Sequence, residues 1–158
     1  MKKISLVIFL FFLVLFLLVV SLASICFSEP DRKVWESFSD NMYYNKTNIT
    51  KSAQYVAVWT YNMVTEDYRK QTVTVSQKHD PELSERYKKF DHFVTLWGFD
   101  CEKKSFRIKE RTDYDDRWKI INKYTYKNEE RIKIVPDSPT EKLYDKICVT
   151  PEKPSKKK

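Results

Sequence analysis

Glycine is nearly missing from this 158-residue chain, with Gly98 the single example. That excludes any glycine-rich loop able to bring backbone amides against a phosphate, whether of the P-loop or dinucleotide type. Histidine is almost as scarce. His79 and His92 are the only two, both sit in polar sequence, and both read as solvated. A zinc site needs more nitrogen or sulfur ligands at short, regular spacing than these supply. No serine stands in a Gly-x-Ser-x-Gly elbow, so nucleophilic hydrolysis of that kind is excluded as well.

A dense patch of one charge is also lacking, although the net charge is +7. Lys2 and Lys3 carry two of those charges. Lys153, Lys156, Lys157 and Lys158 against Glu152 carry three more, which leaves about two for everything between. A nucleic-acid surface requires clustered cations; acids and bases here are interspersed, and nucleic acid is set aside as a partner.

What the chain does have begins with a long apolar run. Lys2-Lys3 precede Ile4 to Val20, and small residues at Ser21, Ala23 and Ser24 lead to the polar Ser28-Glu29-Pro30-Asp31. This is the order of a secretory signal, cleaved near Ala23 or Ser28. The run is also long enough to cross a ~30 Å hydrocarbon layer uncleaved, with the lysines keeping its start in the cytoplasm. Lipid attachment at Cys26 is a third route, disfavoured by the bulky Ile25 before it. The expected organisation is a signal or membrane anchor over 1–28, one domain over 29–148, and a basic tail over 149–158.

Within the domain the hydrophobic period is mostly that of strands. Strands are expected at Val34–Phe38, at Tyr55–Met63, around Val73 and Val75, at Phe93–Phe99, around Phe106 and Ile108, from Trp118 to Tyr126, and at Ile132 and Ile134. Asp115-Asp116 and Asn128-Glu129 are the expected turns, and Asp80 to Lys89 reads as a helical turn or loop. One helix is well signalled. Ser138 caps it, Pro139 fills the first position and Glu141 completes a capping box. Leu143 and Ile147 then share one face, and Cys148 emerges at its end.

Cys101 and Cys148 are the even pair left outside the leading segment, and in an exported chain a disulfide is the default. Two unrelated buried thiols are the alternative. A bond would pin the helix to the sheet and stabilise the fold by roughly 3–4 kcal/mol. Asp113, Asp115 and Asp116 lack the glycine and distal glutamate of a calcium loop and read as a charged turn. The sequons at Asn45 and Asn48 read as a polar surface turn. No cofactor is implied.

Several landmarks fall in a familiar order. Tyr43-Tyr44-Asn45-Lys46-Thr47-Asn48-Ile49, Val58-Trp59, Phe99-Asp100-Cys101, Arg111-Thr112-Asp113-Tyr114 and Ile134-Val135-Pro136-Asp137-Ser138 followed by Cys148 together resemble the surface-adhesin protein E family of small Gram-negative exported proteins. Asn45 and Asn48 stand where that family usually has Asp and Ser. The resemblance covers about Trp35 to Cys148. It implies an antiparallel sheet with a C-terminal helix tied to it by a disulfide, and a role in binding host matrix and plasma proteins.

The expected fold is therefore α+β: an antiparallel sheet with one C-terminal helix, stapled by Cys101–Cys148. Strands Tyr55–Met63 and Phe93–Phe99 are apolar on both faces, and one helix covers only one of them. The other face must meet loops, a second copy or a ligand. Tyr55, Trp59, Tyr61, Trp97 and Trp118 are the candidate binding surface. The expected function is non-enzymatic binding at the cell envelope or surface, to a host matrix or envelope protein or to itself as a homodimer. A structural or accessory periplasmic role is the alternative, and the membrane is met only through the N-terminal segment.

Overall fold

The computed structural model describes residues 30–127 and 130–149. The signal or anchor expected over 1–28, with Cys26, lies outside the described residues, as do the turn at Asn128-Glu129 and the tail from residue 150. Among the described residues no helix is long and apolar enough to cross a membrane.

Among the described residues seven strands form one antiparallel sheet. β1 (Trp35–Ser39), β2 (Met42–Lys51), β3 (Tyr55–Met63), β4 (Phe90–Asp100), β5 (Ser105–Asp115) and β6 (Ile120–Thr125) lie side by side in chain order, and the short β7 (Ile132–Lys133) pairs with β5. α1 (Glu66–Gln77) and α2 (Pro81–Tyr87) interrupt the meander between β3 and β4, and α3 (Pro139–Ile147) closes the chain. The α+β class and the disulfide-tied C-terminal helix are as expected. The first inserted helix is an addition, and the second takes the helical alternative for Asp80 to Lys89.

α1 stands where Val73 and Val75 suggested a strand. Alternation over so few residues is weak, and the local chemistry favours helix. Thr65 caps it, its side chain accepting from the Tyr68 amide at 3.3 Å, and Glu66 and Asp67 put negative charge at the positive end of the helix dipole. Glu66 also pairs with Arg69 and Lys70 one turn on. α2 resolves the ambiguous Asp80–Lys89 stretch: Asp80 accepts from the Leu83 amide at 2.9 Å, and Pro81 occupies the first turn. β2 corrects the polar turn expected around Asn45 and Asn48. That segment is a strand carrying a bulge, where Asn45 Oδ1 accepts from the Thr47 and Asn48 amides at 3.0 and 2.9 Å and the register shifts between Tyr44 and Ile49.

With one glycine available, left-handed backbone falls to other residues: Asn41, Lys104, Trp118 and Asp137 all have positive φ. The expected Asp115-Asp116 turn is present, but its strained position is Trp118, two residues further on. β6 accordingly begins at Ile120 and leaves Trp118 out of the ladder.

One face of the sheet is packed. Val56, Val58 and Phe99 from the central strands meet Leu143, Tyr144 and Ile147 of α3, with Phe38 and Tyr44 at the side. Each fully buried side chain of this size is worth about 1.5–3 kcal/mol in removed apolar surface. Ser138 caps α3 as expected, accepting from the Glu141 amide at 3.2 Å, while Glu141 reaches back to the amide of Asp137 at 2.7 Å. The Cys101–Cys148 disulfide joins the end of α3 to the turn after β4 with the Cα atoms 5.5 Å apart, and the Tyr144 hydroxyl donates to the Cys101 carbonyl at 2.7 Å. Further along the same face, Val64, Tyr87, Phe90 and Ile121 form a second cluster beneath α1 and α2.

Candidate functional site

Both core clusters draw their helical side chains onto one face, so the reverse face is built from strands and one turn. Strand alternation puts Tyr55, Ala57, Trp59, Tyr61 and Met63 of β3 on that reverse side. The pairings Tyr43↔Tyr61, Met63↔His92 and His92↔Tyr114 then carry the same side across β2, β4 and β5.

The result is a continuous layer of rings. The Tyr61 and His92 rings stack with centroids 4.7 Å apart, and His92 and Tyr114 stack at 5.0 Å, within 13° of parallel. Tyr43 lies 6.3 Å from Tyr61 and Trp35 lies 5.6 Å from it. Trp118 folds back from the β5–β6 turn to within 4.2 Å of His92 and 6.0 Å of Tyr61. Contacts of this kind contribute about 0.5–1.5 kcal/mol each beyond area burial. Among the described residues no helix lies over this surface, and these contacts order it.

Trp118 is the outermost member, 57% exposed. Its turn is fixed by Asp115, whose Oδ1 accepts from the Arg117 and Lys119 amides at 2.9 and 2.8 Å. A φ of 61° at a tryptophan costs roughly 1–2 kcal/mol. A backbone conformation that tryptophan disfavours therefore holds the indole over the ring layer, with its outer side open to solvent.

His92 corrects the solvated reading, being 1% exposed. Its Nδ1 lies 2.8 Å from Asp91 Oδ2, and its Nε2 has no hydrogen-bond partner among the described residues. Burial pulls its pKa below the ordinary histidine value, against the opposing pull of Asp91. Burial, reinforced by the Asp91 charge, pushes the Tyr61 phenol up to about 12. Both rings are neutral near pH 7, so the layer is uncharged.

The other candidates divide between the faces. Trp59 lies on the reverse face, half-buried and paired across the strands with Leu96. Tyr55 is on the same side, under the Arg131 guanidinium at 4.9 Å, and Arg131 pairs with Asp100. Trp97 is brought to the opposite face: its partner is Val58, and its indole N–H donates to Thr60 Oγ1 at 2.8 Å against the α3 core. Trp35, Tyr43, His92 and Tyr114 were missed because cross-strand register, not local pattern, brings them together. Asp113 likewise lies inside β5 and not in the charged turn, its carboxylate held by Arg111 at 2.6 Å and Tyr87 at 2.7 Å. Among the described residues no three His, Cys, Asp or Glu side chains converge as metal ligands.

Residues 32–149 match the family model described as surface-adhesin protein E. No curated protein matches the chain. The solved structure of Haemophilus influenzae protein E is similar at 15% identity and a TM-score of 0.50, covering 75% of this chain and 86% of that one. Its selenomethionine form gives the same identity and TM-score, with 75% and 88% covered. At that identity the likeness carries the fold alone.

Proposed function

The chain belongs to the surface-adhesin protein E family, and on that basis we propose that it is an exported, non-enzymatic binding module whose reverse, aromatic face grips a protein partner. Residues 1–28 deliver the domain across the membrane or hold it there, and the basic tail from 149 is an appendage to it. The partner is a host matrix protein at the outer surface. The family is the warrant for adhesion, and Trp118 is the observation that points to this face: a large, more than half-exposed indole lying at a strained φ over a pre-ordered floor of rings. Tryptophan and tyrosine bury much area at little entropic cost and dominate binding hot spots.

The test is adhesion of intact cells, and of the purified protein, to immobilised matrix proteins. Trp118→Ala is expected to weaken binding at least tenfold, about 1.4 kcal/mol. Raised salt is expected to leave most of the binding in place, since apolar contact is not screened. External protease must reach the domain on whole cells. A protected domain, with retention only of envelope proteins or of a second copy, would replace adhesion with an accessory periplasmic role.

A further inference from the structure

We propose that the packed face carries a second, separate site: a cleft between α1 and the β5–β6 edge that takes a neutral, polyhydroxylated sugar ring. The cleft holds about 350 Å³, at the small end of ligand sites. Tyr68, Gln71 and Thr72 of α1 form one wall, and Tyr124 and Tyr126 form the other, with Arg111 at the floor.

The hydrogen bonds beneath it have a fixed direction. Asp113 is 1% exposed, and its Oδ1 accepts from Arg111 Nε. Its Oδ2 accepts from the Tyr87 hydroxyl at 2.7 Å, so the single Tyr87 proton is committed. The Tyr87 oxygen, 2.9 Å from the Tyr124 hydroxyl, must then receive the Tyr124 proton. Burial pushes the Tyr87 phenol well above its ordinary pKa, which keeps it a donor across the working pH range. Tyr124 consequently turns lone pairs outward. On the opposite wall the Tyr68 hydroxyl accepts from Arg111 Nη1 at 3.2 Å, which leaves its own proton to donate outward.

One wall therefore offers an acceptor and the other a donor. A sugar hydroxyl is both, so a ring spanning the cleft satisfies each without stranding either. Tyr126 is 46% exposed and stacks with Tyr124 at 6.4 Å and 22°. The two rings are nearly parallel and both line the cleft, and the exposed Tyr126 ring gives the C–H face of a pyranose an aromatic surface to pack against. Charge selects against anions. The one cation at the floor is paired with buried Asp113 and lies 3.9 Å from the Phe93 ring centroid, so the floor has no net charge for a sulfate or carboxylate.

The experiment is binding of the full chain to an array of immobilised neutral, sialylated and sulfated oligosaccharides, repeated at raised salt. Retention on neutral glycans that survives salt is expected. Tyr126→Ala, which removes the more exposed ring, and Tyr68→Phe, which removes the hydroxyl that donates into the cleft and accepts from Arg111 but keeps the ring, are each expected to weaken it at least tenfold. Trp118→Ala is expected to leave it unchanged, which separates this site from the adhesive face. Absence of neutral-glycan retention, retention unaffected by Tyr126→Ala, or retention confined to charged glycans and fading with salt would each overturn the proposal.

Discussion

The two faces of the sheet are held together by different means. The packed face is covered by α3, stapled at Cys101–Cys148 and filled by aliphatic and aromatic side chains in contact with helices. The reverse face has rings stacked on rings, a buried neutral histidine in the middle and an exposed tryptophan on top. The packed face gains stability from burial against helices, whereas on the reverse face, which no helix covers among the described residues, the rings bury one another. The difference separates roles: changes on the packed side should cost stability, and changes at the outer edge of the ring layer should cost binding.

The largest effect is expected from breaking the staple. Cys148→Ser should lower unfolding free energy by roughly 2–5 kcal/mol, measured by urea denaturation, because it releases α3 from the sheet. Partner binding by the fraction that remains folded should be unchanged. A variant of unaltered stability would mean that Tyr144 and the Leu143–Ile147 contacts hold α3 alone.

The next largest is expected at the polar end of the same face. Tyr87→Phe removes the donor that reaches Asp113 and the acceptor that serves Tyr124. An oxygen stripped of its partner in a buried carboxylate costs about 1–3 kcal/mol. The same denaturation measurement checks it, and a cost near zero would show that water satisfies the carboxylate equally well.

The reverse face should betray itself through pH. The folded-state pKa of His92 is lowered by burial, so as pH falls the unfolded chain takes up this proton first. Stability should therefore be full above about pH 6.5 and decline through the unfolded histidine value toward the depressed folded one. Aspartates and glutamates of ordinary pKa titrate below most of this window. His92→Phe, which keeps a ring in the stack, should flatten the slope measured by thermal unfolding between pH 5 and 7.5. A slope that persists in His92→Phe would assign the effect elsewhere.

How much of this was legible in sequence follows the range of the interactions. The α3 cap at Ser138–Glu141, its apolar stripe and the cysteine pair are local or compositional signals, and they led directly to the stapled helix. Val73 and Val75 misled because a two-residue period in a polar helix imitates a strand, while the deciding cap at Thr65 lies eight residues before Val73. The ring layer was only half legible. Tyr61 and Trp118 were named, but the choice between Trp97 and His92 depends on which residue of β4 faces the same way as Tyr61. That is set by register with β3, and bulges after Phe90 and Leu96 shift the pairing with β5. No pattern within a single strand encodes it.

The smallest expected change in stability belongs to the residue expected to matter most for binding. Trp118→Gly relieves a left-handed backbone at an indole, a gain of roughly 1–2 kcal/mol. It gives up aromatic contacts with His92, Tyr61 and Tyr114, of which a half-exposed ring realises only part of about 0.5–1.5 kcal/mol each. Glycine also adds roughly 0.5–1 kcal/mol of chain entropy to the unfolded state. These terms oppose one another and are of similar size, so the denaturation midpoint should hardly move. Partner binding should nevertheless fall at least as far as in Trp118→Ala, because the turn loses both the indole and the constraint that aims it. If Trp118→Gly instead unfolds the domain, the indole is a structural keystone of the ring layer, and the two faces are not divided between stability and binding.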